Sequence, residues 1–372
     1  MVSLGSGLCV WLDEAGVLWG MGYNGYGGLG FGHEDIRNLP SKNETLGRCI
    51  SVSCGNHFTV CVDDSGDVWA FGMNGMGQLG LGHDTNDVIQ PQKVACLPPI
   101  VSVHCGDDHT LCVAEDSTLW AFGLTDKGQL GLGFYSGRCE GQMKPALVSV
   151  PKVIKIAMGS EHSFIQDETG TLWASGNNKY GQLGIGNQNN QNRFTALPSF
   201  TDAPIVDFDA GYNHSIFLAS NGDVYAVGKN NRGQTGMGEG FEPCSSPVKV
   251  PTLKEIQLVS CGSEHTLVVN VKGDILGFGN NERGQLGMGK DCEVYFEPKP
   301  IDNFKDIRYI CCGVSSSIAK DKQGRVWVFG DNSDGKLGLG DYDIRFTPTL
   351  LSEEYSDLFF THTPATIKSA RK

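Results

Sequence analysis

The residues best suited to proton transfer or metal binding are four histidines in one repeated setting. His109, His162, His214 and His265 each stand three residues after a glycine and directly before Thr or Ser. An imidazole beside a hydroxyl can act on it as a general base, and several imidazoles can hold a metal ion. Their spacing argues against both. The four lie 53, 52 and 51 residues apart, and the matching places elsewhere in the chain hold Leu8, Phe58 and Ser316. A proton-transfer group is not spread over four matched positions and dropped from three others. The histidines are expected to be structural, hydrogen-bonding between repeats or to a loop.

A second candidate, Gly330-Asp331-Asn332-Ser333-Asp334-Gly335-Lys336-Leu337, imitates a phosphate loop. It lacks the Ser or Thr that would hold magnesium, and its strand-turn-strand setting offers no following helix. It reads as one more copy of a repeated turn. The 13 cysteines contain no C-x-x-C pair and no metal-type spacing; most are read as small core residues of a reducing compartment. No Ser/His/Asp set or paired-carboxylate site stands out. No catalytic residue, cofactor or metal site is expected.

What positions all these residues is a repeat. Aligned on the glycine that ends a short apolar strand, the copies fall at Gly5, Gly55, Gly106, Gly159, Gly211, Gly262 and Gly313, in steps of 50 to 53 residues. Each copy continues through a second apolar run, a third strand that ends in glycine, and a loop of the type N-x-x-G-Q-L-G-x-G. Regular self-similarity of this length marks a repeat architecture. Short strands, Gly and Asn turns and the lack of helical periodicity make the chain all-β. One four-stranded antiparallel sheet of this size cannot bury both faces, whereas seven packed radially can, which predicts a seven-bladed β-propeller.

The single propeller is expected to span residues 1–363, with repeats starting near 2, 50, 100, 153, 205, 256 and 307, and residues 364–372 form a tail. Most of the 51 glycines sit at fixed repeat positions, where a turn needs positive φ or two backbones approach closely. Pro40, Pro91, Pro145, Pro198, Pro247, Pro298 and Pro348 recur where the outermost strand should lie, the edge at which a missing N–H is tolerated. Leu358-Phe359-Phe360-Thr361 falls where the next copy would begin. It is expected to pair into the first blade and fasten the ring.

Net charge is −13, and residues 1–126 carry −11 of it, with 15 acidic and 4 basic side chains. Such a chain, with no basic tract at its start, is not expected to bind nucleic acid directly. Met1 to Leu12 has no basic n-region and already reads as the first repeat. An intracellular protein is expected, cytoplasmic or nuclear, without a membrane span and monomeric.

Glycine-x-x-histidine at Gly106–His109, Gly159–His162, Gly211–His214 and Gly262–His265, each followed by an apolar strand and the Gly-Gln-Leu-Gly type of loop, resembles the repeat of the regulator of chromosome condensation (RCC1) family. The resemblance covers nearly the whole chain. It implies an RCC1-like seven-bladed propeller and two functions to weigh: a non-enzymatic interaction scaffold, or guanine-nucleotide exchange on a small GTPase such as Ran, the activity of the founding member. That member uses a wedge-like hairpin in place of one repeat loop. Here every copy keeps a recognisable standard loop, which places the scaffold first.

In a repeat protein a partner site shows as variation within a fixed frame. Between the strand-ending glycine and the histidine lie Asp107, Asp108, Glu161, Tyr212 and Glu264, which should crowd one mouth of the central channel. In the long loops lie Tyr26, Met76, Lys127, Tyr180, Arg232 and Arg283. Turns do not require Tyr, Met or Arg, whereas partner-binding surfaces favour them. These eleven residues are the candidate partner-binding set, and the acidic first third favours a basic surface on a protein partner.

Overall fold

The computed structural model describes residues 1–84, 87–137, 140–302 and 304–359. It is a seven-bladed β-propeller, each blade a four-stranded antiparallel sheet whose strands follow chain order from the axis outward. The third blade illustrates the rest: Ile100–Cys105, His109–Ala114, Leu119–Gly123 and Gln142–Val148. The second strand is apolar on both faces because a neighbouring blade covers each side, and His109–Ala114 is buried throughout. The outer strands are mostly half-buried or exposed, with a single buried residue in Arg37–Lys42 and in Cys244–Lys249. Six of the recurring prolines lie in those outer strands, while Pro198 falls just past the end of Gln191–Ala196.

The glycines that end the inner strands meet around the axis. None of the seven has a positive φ, so turn geometry is not why they are glycine. A methyl group at Gly5, Gly55, Gly106, Gly159, Gly211 or Gly262 would lie 2.2–2.7 Å from the carbonyl oxygen of the next glycine in the ring. Close approach therefore excludes a side chain, and the channel at this level is narrow, ≈ 100 Å³. The glycine that closes the third strand serves the other purpose: Gly22, Gly72 and Gly123 have φ of +103°, +106° and +101°.

Inner strands are sheet edges, and side chains from the adjacent blade satisfy their free N–H groups. Ser3 Oγ accepts from Cys54 N at 3.0 Å, Ser53 Oγ from Cys105 N at 3.0 Å, Asp209 Oδ2 from Cys261 N at 2.8 Å, and Ser260 Oγ from Cys312 N at 3.1 Å. At the opposite end of the blades, the third-strand tryptophans donate to a turn carboxylate six residues earlier: Trp19 to Asp13, Trp69 to Asp63 and Trp173 to Asp167, each at 2.9 Å.

Ring closure differs from the expectation. Blade one is complete from its own four consecutive strands, beginning with Val2–Leu4, and Leu358 and Phe359 add no strand to it. The chain leaves the last outer strand, makes the helical turn Glu353–Ser356, and stacks Phe359 on Trp11 of blade one at 4.2 Å between ring centroids. Trp11 Nε1 donates to the Leu358 carbonyl at 3.1 Å, and Lys320 Nζ donates to the Phe359 carbonyl. Phe359 thus works like Phe304, which follows the sixth blade and packs edge-on against Trp327 of the seventh at 5.4 Å. The closing piece is an interblade linker plug, because an aromatic side chain fills the gap between blades without needing a free sheet edge. Phe360, Thr361 and the tail lie outside the described residues.

Candidate functional site: the loop face of the propeller

The four histidines are fully buried and join blades. His109 Nε2 meets Ser163 Oγ at 3.0 Å, His162 meets Ser215 at 3.0 Å, His214 meets Thr266 at 3.0 Å and His265 meets Ser317 at 2.9 Å, always one blade onward. Each hydroxyl donates back to a loop carbonyl of the histidine's own blade: Gln129, Gln182, Gln234 and Gln285, at 2.8–2.9 Å. Since the hydroxyl proton is committed there, the histidine must donate from Nε2. Nδ1, beside the hub glycine, is left as an acceptor with no partner among the described residues. Burial pulls all four down to about 3. They are neutral braces at neutral pH, with the Nε2 proton held in the interblade hydrogen bond.

The long loops of blades two and four reach the turn before the second strand of the next blade through a glutamine side chain. Gln78 Nε2 donates to Asp108 Oδ1 and Gln182 Nε2 to Asn213 Oδ1, both at 3.2 Å. Gln78 and Gln182 also accept through Oε1 from the backbone N–H of the variable loop residue, Met76 at 2.8 Å and Tyr180 at 3.0 Å, and Gln129, Gln234 and Gln285 accept likewise from Lys127, Arg232 and Arg283 at 2.9–3.0 Å. The backbone is pinned while the side chain is free to vary. The turn and loop candidates therefore share one face.

The structure brings some candidates together and separates others. Tyr212, 42% exposed, stands among Asp107, Glu161 and Glu264, whose charges add to burial in raising its phenol. Burial, with Asp108 and then Glu161 beside it, pushes the Asp107 carboxyl up to about 7. Asp108 is raised as well, by burial and by Glu161 and Asp126. These residues form an acidic mouth around one tyrosine. Lys127 is held by Asp126, and Arg232 by Glu282 at 2.8 Å. Met76 is half-buried and Arg283 exposed. Tyr180 lies under Lys179 and Lys229. Tyr26 belongs to a separate cluster with Tyr23 and His57. Between the third and fourth blades a groove of ≈ 740 Å³ is lined by Lys127, Tyr135, Asn177 and Lys179.

Sequence reasoning missed Tyr23, His57 and the partner of Lys336. Lys336 stands in the glutamine place of the loop, which was visible, but its role was not. It is 2% exposed, with Nζ on Asp331 Oδ2 at 2.5 Å and on the Ser6 carbonyl of blade one at 2.9 Å. The lysine of the phosphate-loop imitation is thus used up in joining the last blade to the first. Among the described residues no group of three or more His, Cys, Asp or Glu can hold a metal ion, and no helix is long and apolar enough to cross a membrane.

Comparison with known proteins agrees with this architecture. Residues 1–307 match the model of the RCC1-like domain, and residues 307–336 and 323–362 match models of the regulator of chromosome condensation (RCC1) repeat. The chain is 33% identical over 312 residues to the human X-linked retinitis pigmentosa GTPase regulator, covering 68% of this chain and 30% of that protein. It is 32% identical over 249 residues to the ultraviolet-B receptor UVR8 of Arabidopsis thaliana, covering 66% and 56%. The chain spans 30–31% of the length of the retinitis pigmentosa GTPase regulators it matches. In three dimensions it superposes on Prp20p from Saccharomyces cerevisiae with a TM-score of 0.81 at 21% identity, covering 93% of this chain and 88% of that one. Human WBSCR16 gives the same TM-score and identity over 90% and 94%. Seven copies of the repeat, the propeller they build and the family models that match them along its length place this chain in the RCC1 family.

Proposed function

We propose that this chain is a non-enzymatic interaction propeller that captures a protein partner on its loop face, with a preference for a basic surface. The observation that carries the reading is the Gln-pinned loop design, in which a fixed backbone presents variable Met, Lys, Tyr and Arg side chains around an acidic mouth. Rigid scaffolds with variable surface loops are how proteins commonly display binding residues. Negative potential focused at a narrow mouth steers cationic partners toward it. The relatives support a regulatory role: one is named a GTPase regulator, and the study of Prp20p concerns its binding to Gsp1p and histones.

Affinity capture tests the reading, with the retained partner identified and then titrated as a purified protein. Replacing Tyr26, Met76 and Tyr180 together by Ala is expected to abolish capture while the melting curve stays in place; undiminished capture would sink the proposal. The names of the relatives favour a second reading, nucleotide exchange on a small GTPase. The same preparation, added to Ran and to Rho-, Rab- and Arf-type GTPases loaded with a fluorescent GDP analogue, separates the two. A scaffold leaves GDP release unchanged, and acceleration of one GTPase establishes exchange.

A further inference from the structure

Blades one and four carry tyrosine at the same place in the long loop, Tyr26 and Tyr180, and the two rings have opposite surroundings. In blade four the ring is covered by two cations, Lys179 Nζ at 5.5 Å and Lys229 Nζ at 5.1 Å from the ring centroid. Lys179 directly precedes the tyrosine, and Lys229 opens the loop of the following blade. The corresponding places around Tyr26 hold Gly25 and Met73. The repeat thus builds a cation onto this ring in one copy and omits it in another.

In blade one the ring faces other rings instead. Tyr26 lies 5.8 Å from Tyr23 and 5.1 Å from His57, and Tyr23 lies 5.3 Å from His57, all tilted by 46–60°. All three are half-buried. Carboxylates border them. A methyl group at Gly7 would lie 2.9 Å from Tyr23 Cβ and 3.2 Å from Asp334 Oδ2, so the seventh blade's Asp334 converges on Tyr23. Glu34 and Asp87 are exposed, and burial together with the Tyr26, Asp334, Glu34 and Asp87 groups raises the Tyr23 phenol. Burial and then the Glu34 charge raise the Asp87 carboxyl. Neither Glu34 nor Asp87 has an ion-pair partner among the described residues. The nearby Arg37 is engaged with His33 at 2.9 Å and lies over Phe31. Asp334 faces Lys336, 3.8 Å away and itself held by Asp331, whereas Glu34 and Asp87 border the rings with no cation of their own, and aromatic faces and carboxylates both attract one.

We infer that the Tyr23–Tyr26–His57 cluster seats an arginine or lysine side chain from a basic segment of the partner protein, replacing the lysines that cover Tyr180 in blade four. The inference rests on the loop face being the partner surface. Two features favour arginine: its planar guanidinium can stack on a tyrosine ring and still reach a flanking carboxylate.

The test is fluorescence anisotropy with a short labelled peptide of alternating glycine and arginine, and a glycine–glutamate peptide as control. The wild-type chain should bind the first and not the second. Met73→Lys restores a built-in cation without removing any ring, and should weaken binding about fivefold or more. Ile50→Lys adds the same charge to the far end of the second blade's inner strand and should leave binding unchanged. Tyr26→Ala should weaken binding as Met73→Lys does, and Tyr26→Phe should retain it; matched melting curves exclude unfolding. Absence of wild-type binding, equal effects of Met73→Lys and Ile50→Lys, or unaltered binding by Tyr26→Ala each overturns the seat. If partner capture still depends on the loop residues in those cases, the seat alone has fallen and the loop-face reading stands.

Discussion

Blades three to six and the closing seam between blades seven and one perform the same task with different chemistry. In the interior of the array a neutral histidine donates to a hydroxyl of the next blade, which donates back to a glutamine carbonyl. At the seam Ser316 replaces the histidine, Cys9 the hydroxyl and Lys336 the glutamine. Ser316 Oγ is buried with no partner among the described residues, and a charged lysine–aspartate contact with a plugging phenylalanine takes over. The hub is wider there too: a methyl group at Gly313 would sit 3.4 Å from the Gly5 carbonyl, against 2.2–2.7 Å at the other six joints. An interior joint repeats a local rule, whereas the seam brings together residues from opposite ends of the chain after the longest loop closure. It is held by a buried ion pair and an aromatic plug in place of the histidine–hydroxyl relay.

The largest loss of stability should come from the plug. Phe359→Ala is expected to cost about 4 kcal/mol, as for other fully buried phenylalanines, read from the urea unfolding midpoint. Phe304→Ala at an interior joint should cost less, because the chain on both sides of it remains anchored. Equal losses would erase the contrast. Lys336→Met comes next, at about 3 kcal/mol, because it leaves the Asp331 carboxylate, 14% exposed, without its cation in a largely buried place. Lys336→Gln, which copies the interior joints, should lose less than Met does.

The smallest effect belongs to the interior girdle. His162→Leu, copying Leu8 of blade one, is expected to cost about 1 kcal/mol at pH 7, since one neutral hydrogen bond is lost and Ser215 keeps its carbonyl acceptor. The sign of its pH dependence follows from burial. The folded histidines titrate near 3, while unfolded ones take up protons near 6.5. Stability is therefore fully present above pH 6.5 and falls as pH drops toward 3, each histidine contributing roughly 1 kcal/mol per pH unit in that window. Asp107, raised to about 7, works in the opposite sense between pH 7 and 3.8. His162→Leu should make the acid-side decline shallower, and an unchanged slope between pH 6 and pH 4 would mean that the histidine is not neutral in the fold.

Much of this architecture can be read from the chain alone, because a repeated strand-turn-strand unit states its own periodicity and its own buried faces. Blade number, strand order and the structural role of the histidines follow from residues that recur. What does not recur was hidden. Leu358-Phe359 is equally apolar as a strand or as a plug, and only the helical turn before it and Trp11 across the seam decide. The hub glycines look like turn glycines until their neighbours in the ring are known. Tyr23 and His57 are one loop and one turn apart in different copies, and nothing in either copy says that the loop of one blade lies on the turn of the next. The Gly25 and Met73 contrast with Lys179 and Lys229 is written in the sequence, but it acquires meaning only once that contact is known.

The hub of glycines also bears on how this chain can vary. Duplicated units usually tolerate damage because one copy can decay while its siblings carry on. Around the axis six of the seven glycines abut the next one's carbonyl, so each of those six is a single point of failure, and the number of units is locked along with their identity. Innovation is pushed outward to the loops, where a copy can acquire a new side chain without consulting the other six.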